Sequence, residues 1–125
     1  MIPKLSTVES LDATVRAYLE ALSAAGFAGD IETSYGSRLA VSTDNSVYQQ
    51  LPAAVVLPKH QADLVLLTSL AQSSSFQSLK FTPRGGGTGT NGQSLTDGIV
   101  VDLSRHLNQI LEINVAEGWV RVQAG

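Results

Sequence analysis

Apolar residues recur at Val8, Leu11, Val15, Tyr18 and Leu22, a spacing that predicts an amphipathic helix near the start of the chain. Ser6 and Glu9 stand in capping-box spacing ahead of it, and Gly26 is placed to end it in a left-handed conformation. A short second helix is expected over Glu32 to Val41, with Leu39 turned inward. Ser42-Thr-Asp-Asn-Ser46 then reads as a polar loop, in which Asp44 and Asn45 are the residue types that cap turns.

The pattern changes at Ala53. Ala53-Ala-Val-Val-Leu57 is a continuous apolar run stopped by Pro58, as expected for a strand buried on both faces. A leucine-rich helix from about Gln61 to Gln72 follows, with His60 at its start, and Ser73-Ser-Ser75 ends it. Leu79-Lys-Phe81 offers a second strand. Strand, helix and strand in so short a span form a βαβ unit, so the two strands should run parallel. Gly98-Ile-Val-Val101 predicts a third strand, and Ser104 to Leu107 a single turn. Gln109–Asn114 and Trp119–Gln123 are expected to pair as a hairpin, turned by Ala116-Glu-Gly118. The expected fold class is α+β: an N-terminal helix, then a βαβ unit and short strands in a small mixed sheet covered by helices. The last strand runs into Ala124-Gly125 with no polar tail, which suggests part of a longer chain.

Composition narrows the partners. Charged residues make up 15% of the 125, below the roughly 25% of ordinary soluble domains, as if some surface were normally covered. A net charge of −3 argues against nucleic acid or an anionic membrane as a partner. No apolar run approaches the ~20 residues that span a bilayer, and residues 1–10 lack the apolar core of a secretory signal. The expectation is a cytoplasmic protein, with any membrane association made through other parts. The chain has no cysteine, and its two histidines have no third ligand in sight, so no metal site is expected.

One segment carries chemistry. Five of the eight residues from Gly85 to Gly92 are glycine, and the others are Thr88, Thr90 and Asn91. Glycine admits positive φ and lets a ligand approach the backbone closely, and successive N–H groups in such a turn converge on an anion. A phosphate or pyrophosphate is the implied ligand. Gly87-x-Gly89-x-x-Gly92 matches the dinucleotide fingerprint in form, but no helix follows it, and no Gly-Lys-Ser/Thr completes a Walker loop. What remains is a strand–glycine loop–strand cradle. Arg84 suits a phosphate contact or a structural pair with a carboxylate equally well. Asp102 reads as a cap on the turn at Ser104, Trp119 as a packing anchor, and His106 as a surface residue. No catalytic constellation is visible.

Pro83-Arg-Gly-Gly-Gly-Thr-Gly-Thr-Asn-Gly-Gln93, preceded by Val55-Val-Leu-Pro58 and followed by Val100-Val-Asp-Leu-Ser104 and Val122-Gln-Ala-Gly125, resembles the FAD-linked oxidases. Their FAD domain is of the p-cresol methylhydroxylase and vanillyl-alcohol oxidase type. Ser42-Thr-Asp-Asn-Ser-Val-Tyr48 narrows the resemblance to the large YdiJ-type FAD and iron–sulfur oxidoreductases, similar to D-2-hydroxyglutarate and D-lactate dehydrogenases. The resemblance implies residues 1–50 as an N-terminal helical extension and 51–125 as the first part of the FAD domain, truncated at its C-terminal end. It places the FAD pyrophosphate on Arg84, Gly85, Gly86, Gly87, Thr88 and Gly89. Asn91, Gly92 and Gln93 fall nearer the ribityl and isoalloxazine end, Pro58 beside the adenine, and Gly125 at the start of a further cofactor segment. Where some relatives attach the flavin through a histidine, this chain has Thr88, so non-covalent FAD is implied. A small 2-hydroxy acid is the implied substrate of the whole enzyme, and its catalytic residues and any iron–sulfur cluster lie outside this chain. Two alternatives stay open: a folded module that binds no flavin alone and self-associates through its uncovered surface, and a phosphate- or nucleotide-binding domain unrelated to flavin.

Overall fold

The computed structural model describes residues 10–125. The capping pair Ser6 and Glu9, and Val8 with them, lie outside these. Among the described residues the first helix, α1 (Ala13–Ala24), begins at Asp12, whose carboxylate accepts from the N–H groups of Thr14 and Val15 at 2.9 and 3.2 Å. Its inward face is Val15, Tyr18, Leu19 and Leu22. It stops as expected, because Gly26 takes φ 93° and lets Phe27 N–H return to the Leu22 carbonyl at 3.3 Å.

Next come β1 (Asp30–Glu32), which the sequence did not suggest, and α2 (Tyr35–Ala40), inside the short helix expected over Glu32 to Val41. Ser34 caps α2 through Ser37 N–H, and Leu39 is 40% exposed rather than inward. A three-residue strand is too short to show an alternating pattern, so only its partner reveals it. The predicted strand and helix then follow as β2 (Ala54–Leu57) and α3 (Gln61–Ala71). The next strand, β3, spans Phe81–Arg84, not Leu79–Phe81. It tolerates Pro83, which has no N–H to give, because it is an edge strand. The last three strands are β4 (Ile99–Asp102), β5 (Ile110–Asn114) and β6 (Trp119–Val122).

The main sheet has the order β1-β2-β4-β3. β2 and β3 do run parallel, but they are not neighbours. β4 enters between them, pairing Ala54 with Ile99 on one side and Phe81 with Ile99 on the other. β1 closes the far edge antiparallel, Asp30 opposite Leu57. Both central strands are buried on both faces, as the unbroken apolar runs required. On one face α1 and α3 pack over Ala54, Val56, Ile99 and Val101, with Tyr18 wedged between the rings of Phe76 and Phe81. On the other face Val41, Val55, Leu57 and Val100 form a smaller cluster. The described residues before 51 therefore share one core with those after it.

The hairpin β5–β6 stands apart from this sheet. Its turn uses Gly118 at φ 72°, as the sequence suggested. Trp119 does not anchor a core; its indole donates to Glu117 at 2.7 Å, and the Arg121 guanidinium lies 5.4 Å from the ring centre. Among the described residues, no helix is long and apolar enough to cross a membrane.

Candidate functional site

Three parallel strands end at one edge of the sheet, so Pro58, Gly85 and Leu103 emerge on the same side. In open α/β sheets that edge is where ligands settle. With strands ~4.8 Å apart and β4 between, β2 and β3 end about 10 Å from each other. The glycine loop leaves β3 here and occupies the edge beside β4.

Two of its glycines are explained by the backbone: Gly87 and Gly92 take φ 67° and 74°. Gly89 faces the side chain of Gln93, which turns back to accept from Asn91 N–H at 3.1 Å. Gly85 and Gly86 are different. Neither has positive φ, and a Cβ at either would meet its nearest neighbour only at 3.5 Å (Ala124 O) or 3.7 Å (Thr88 Cγ2). The fold itself would accept alanine at both positions. Among the described residues, the backbone N–H groups of Gly85, Gly86, Gly87, Thr88, Gly89 and Thr90 donate to no protein acceptor. Such a run of free donors, beside glycines that keep the approach open, suits an acceptor-only ligand such as a diphosphate.

Arg84 points elsewhere. Its Nη1 donates to the Val41 carbonyl and the Ser94 hydroxyl, each at 3.3 Å, and its guanidinium lies where a Gly87 Cβ would project. The buried Ser94 that receives it gave no sign in the sequence. Asp44 caps its own turn as expected, accepting from Ser46 N–H at 2.8 Å. Its carboxyl is held below the usual carboxylate range, first by the Ser46 side chain, against some desolvation, then by the Ser46 and Gly92 amides and the Arg84 charge. Asn45 does more than cap. Its N–H donates to the Gly89 carbonyl at 3.0 Å, and its side-chain amide reaches the Thr88 carbonyl at 3.5 Å.

The structure brings Gly125 to the same region. Its N–H donates to the Leu107 carbonyl at 2.7 Å, its Cα packs against the Leu103 carbonyl, and the preceding Ala124 carbonyl borders Gly85. Asn91 and Gly92 lie on the other arm of the loop, where with Tyr48 and Leu95 they line an open cleft of about 520 Å³. Pro58 is fully buried at the end of β2, and the chain beyond it is fixed by Asp63. Asp102 accepts from the Ser104 amide and hydroxyl at 2.8 and 2.6 Å, capping that turn as expected. His106 is not a plain surface residue; half-buried, its Nε2 lies 2.8 Å from the Asp30 carboxylate, which also takes Arg105 at 3.2 Å. That contact crosses 76 residues and left no local signal. No group of three or more candidate metal ligands occurs among the described residues.

The profile of the FAD binding domain family matches residues 52–125. Over all 125 residues the chain is 58% identical to a D-2-hydroxyglutarate dehydrogenase of Pantoea ananatis and 56% identical to one of Escherichia coli. It spans only 12% of the length of each of these relatives. Among solved structures, alkyldihydroxyacetonephosphate synthase shares the fold with a TM-score of 0.64 at 19% identity, over 81% of this chain and 21% of that one. The family profile and these relatives favour a flavin domain over a nucleotide domain unrelated to flavin. With the free amide run, the open glycines and the family profile all falling on the same stretch, the chain belongs to the FAD binding domain family.

Proposed function

We propose that this chain supplies the diphosphate-binding part of a larger FAD-dependent dehydrogenase that oxidises a small D-2-hydroxy acid, of the D-2-hydroxyglutarate or D-lactate type. The substrate class is supported by 56–58% identity to relatives bearing the first of those names. Residues 1–50 form an extension in sequence, and its described part, from residue 10, packs into the core of the FAD domain begun at 51. The backbone amides of Gly85, Gly86, Gly87, Thr88 and Gly89 hold the diphosphate, and Asn91, Gly92 and Gln93 border the flavin end. Pro58 shapes the adenine end from beneath, and Gly125 leads into the next cofactor segment. FAD, when bound, accepts the two electrons released as the hydroxy acid becomes a keto acid. This chain's part is to bind and orient. Thr88 has no imidazole with which to form a histidyl–flavin bond, so the cofactor is held without covalent attachment.

The observation that carries this reading is the run of unpartnered N–H groups beside Gly85 and Gly86, where the fold itself tolerates a Cβ. Gly86→Val in the full-length enzyme tests it. The expected protein is folded, with an unchanged unfolding midpoint without ligand, yet purifies without flavin absorbance. Full FAD content in the valine variant would place the diphosphate elsewhere.

A further inference from the structure

Free amides bind an anion only if they all face it, and glycine by itself gives no such guarantee. A peptide unit is planar and trans, so its C=O and N–H point in opposite directions. Fixing a carbonyl therefore aims the next amide. In this loop the Thr88 and Gly89 carbonyls are both drawn towards Asn45, by its side-chain amide and its backbone N–H. The Gly89 and Thr90 amides, which share those peptide units, must then point away from Asn45, to the open side. Next to Asn45, the Asp44 carboxyl ties to the loop through the Gly92 amide and the Arg84 charge, which both act on it, although its shielded Oδ2 has no donor within hydrogen-bond distance among the described residues. Arg84 is held on the inner side of the loop by Val41 and Ser94, behind Gly87.

We infer that Asp44 and Asn45 are positioning residues: with Arg84 they hold the loop's carbonyls and its one cation on the inner face, so that its amides present outward to an anionic ligand. The inference rests on the proposed diphosphate role of the loop. Arg84 then acts through the loop and makes no contact with phosphate. The chemistry favours this division of labour. Amides carry no net charge to desolvate, whereas a guanidinium committed to two neutral oxygens at 3.3 Å must give them up to reach a ligand.

The test uses full-length apoprotein and FAD, with Asn45→Ala, Asn45→Asp, Arg84→Met, Asp44→Asn and the Asp44→Asn/Arg84→Met double variant. Asn45→Ala should weaken FAD binding about tenfold, as expected for one lost hydrogen bond. Asn45→Asp should be weaker still at pH 8, where the carboxylate, ionised well above its ordinary pKa of about 3.9, can only accept and so repels the Thr88 carbonyl. A merely structural role, blind to donor or acceptor character, would leave the aspartate and alanine variants alike. The double variant should be no worse than the weaker single variant, because both act through one brace. Arg84→Met should leave the salt dependence of FAD affinity unchanged. A salt slope reduced by about one charge, with additive losses in the double variant, would show Arg84 touching the diphosphate and overturn the inference. Hydrogen exchange of the residue-45 amide, whose proton the Gly89 carbonyl holds, separates the two readings in the apoprotein. Faster exchange in Asn45→Ala supports the brace even if wild-type protein fails to bind FAD, an outcome that would sink the proposed function alone. Unchanged exchange in every variant would sink the brace.

Discussion

Asp63 should be the most consequential polar residue of the scaffold. It is 4% exposed in the first turn of α3. Its Oδ1 accepts from Ala28 N–H at 2.9 Å, and its Oδ2 from Lys59 and His60 N–H at 2.8 and 3.0 Å. One carboxylate thus fastens the turn after α1, the chain leaving β2 beyond Pro58, and the start of α3. In Asp63→Asn the amide oxygen can keep Lys59 and His60, but its NH₂ must then face the Ala28 N–H, so one donor is left unmet. An unmet donor costs about 1–3 kcal/mol when buried. Ala28 is exposed, so the lower half of that range applies. Losing a negative charge at a helix N-terminus adds about 0.3–1 kcal/mol. The expected loss is about 1–3 kcal/mol, read as a lower midpoint in urea unfolding followed by circular dichroism. Acid should show the same group. Burial pushes the Asp63 carboxyl up, but the amides of Ala28, Lys59 and His60 outweigh it, and the carboxyl titrates below its ordinary value. A depressed folded pKa stabilises fully above the unfolded value, near 3.9, and that stability is lost as pH falls through the folded value. The asparagine variant should therefore lose stability less steeply than wild type below about pH 4. A variant within about 0.5 kcal/mol of wild type at pH 7, with the same acid slope, would refute the reasoning.

Tyr18→Phe keeps the ring contacts with Phe76 and Phe81 but removes the hydroxyl that donates to the Leu67 carbonyl at 2.9 Å, and should cost about 1 kcal/mol in the same assay. Burial raises that hydroxyl to about 12, so the wild-type tyrosine should resist ionisation in an alkaline absorbance titration that deprotonates exposed tyrosines. Gly87→Ala should destabilise the apoprotein by about 1–2 kcal/mol, because φ is 67° and Arg84 fills the Cβ position, whereas Gly86→Ala should leave apoprotein stability unchanged. Equal urea midpoints for the two alanine variants would contradict that contrast. The hairpin exposes Ile110, Leu111, Ile113, Val115, Val120 and Val122, so the 125-residue chain alone should self-associate, and light scattering from a clean monomer at high concentration would count against it.

Much of this protein was legible in local pattern. Helical spacing gave the α1 face, an unbroken apolar run gave a strand buried on both sides, and clustered glycines marked the loop. Each signal arises from contacts within a few residues, where backbone sterics and burial period act directly. The order of the sheet was not legible, because β4 enters between two strands that a βαβ reading places side by side, and only packing against both decides that. For the same reason β1 and the Asp30–His106 contact stayed hidden. Within the site, the sequence marked which residues make the loop, but not which way its amides face. That direction is set by Asn45, 43 and 44 residues before the carbonyls it holds, and by an arginine turned inward to Val41 and Ser94. Glycine leaves a backbone free to take many orientations, and tertiary hydrogen bonds select one.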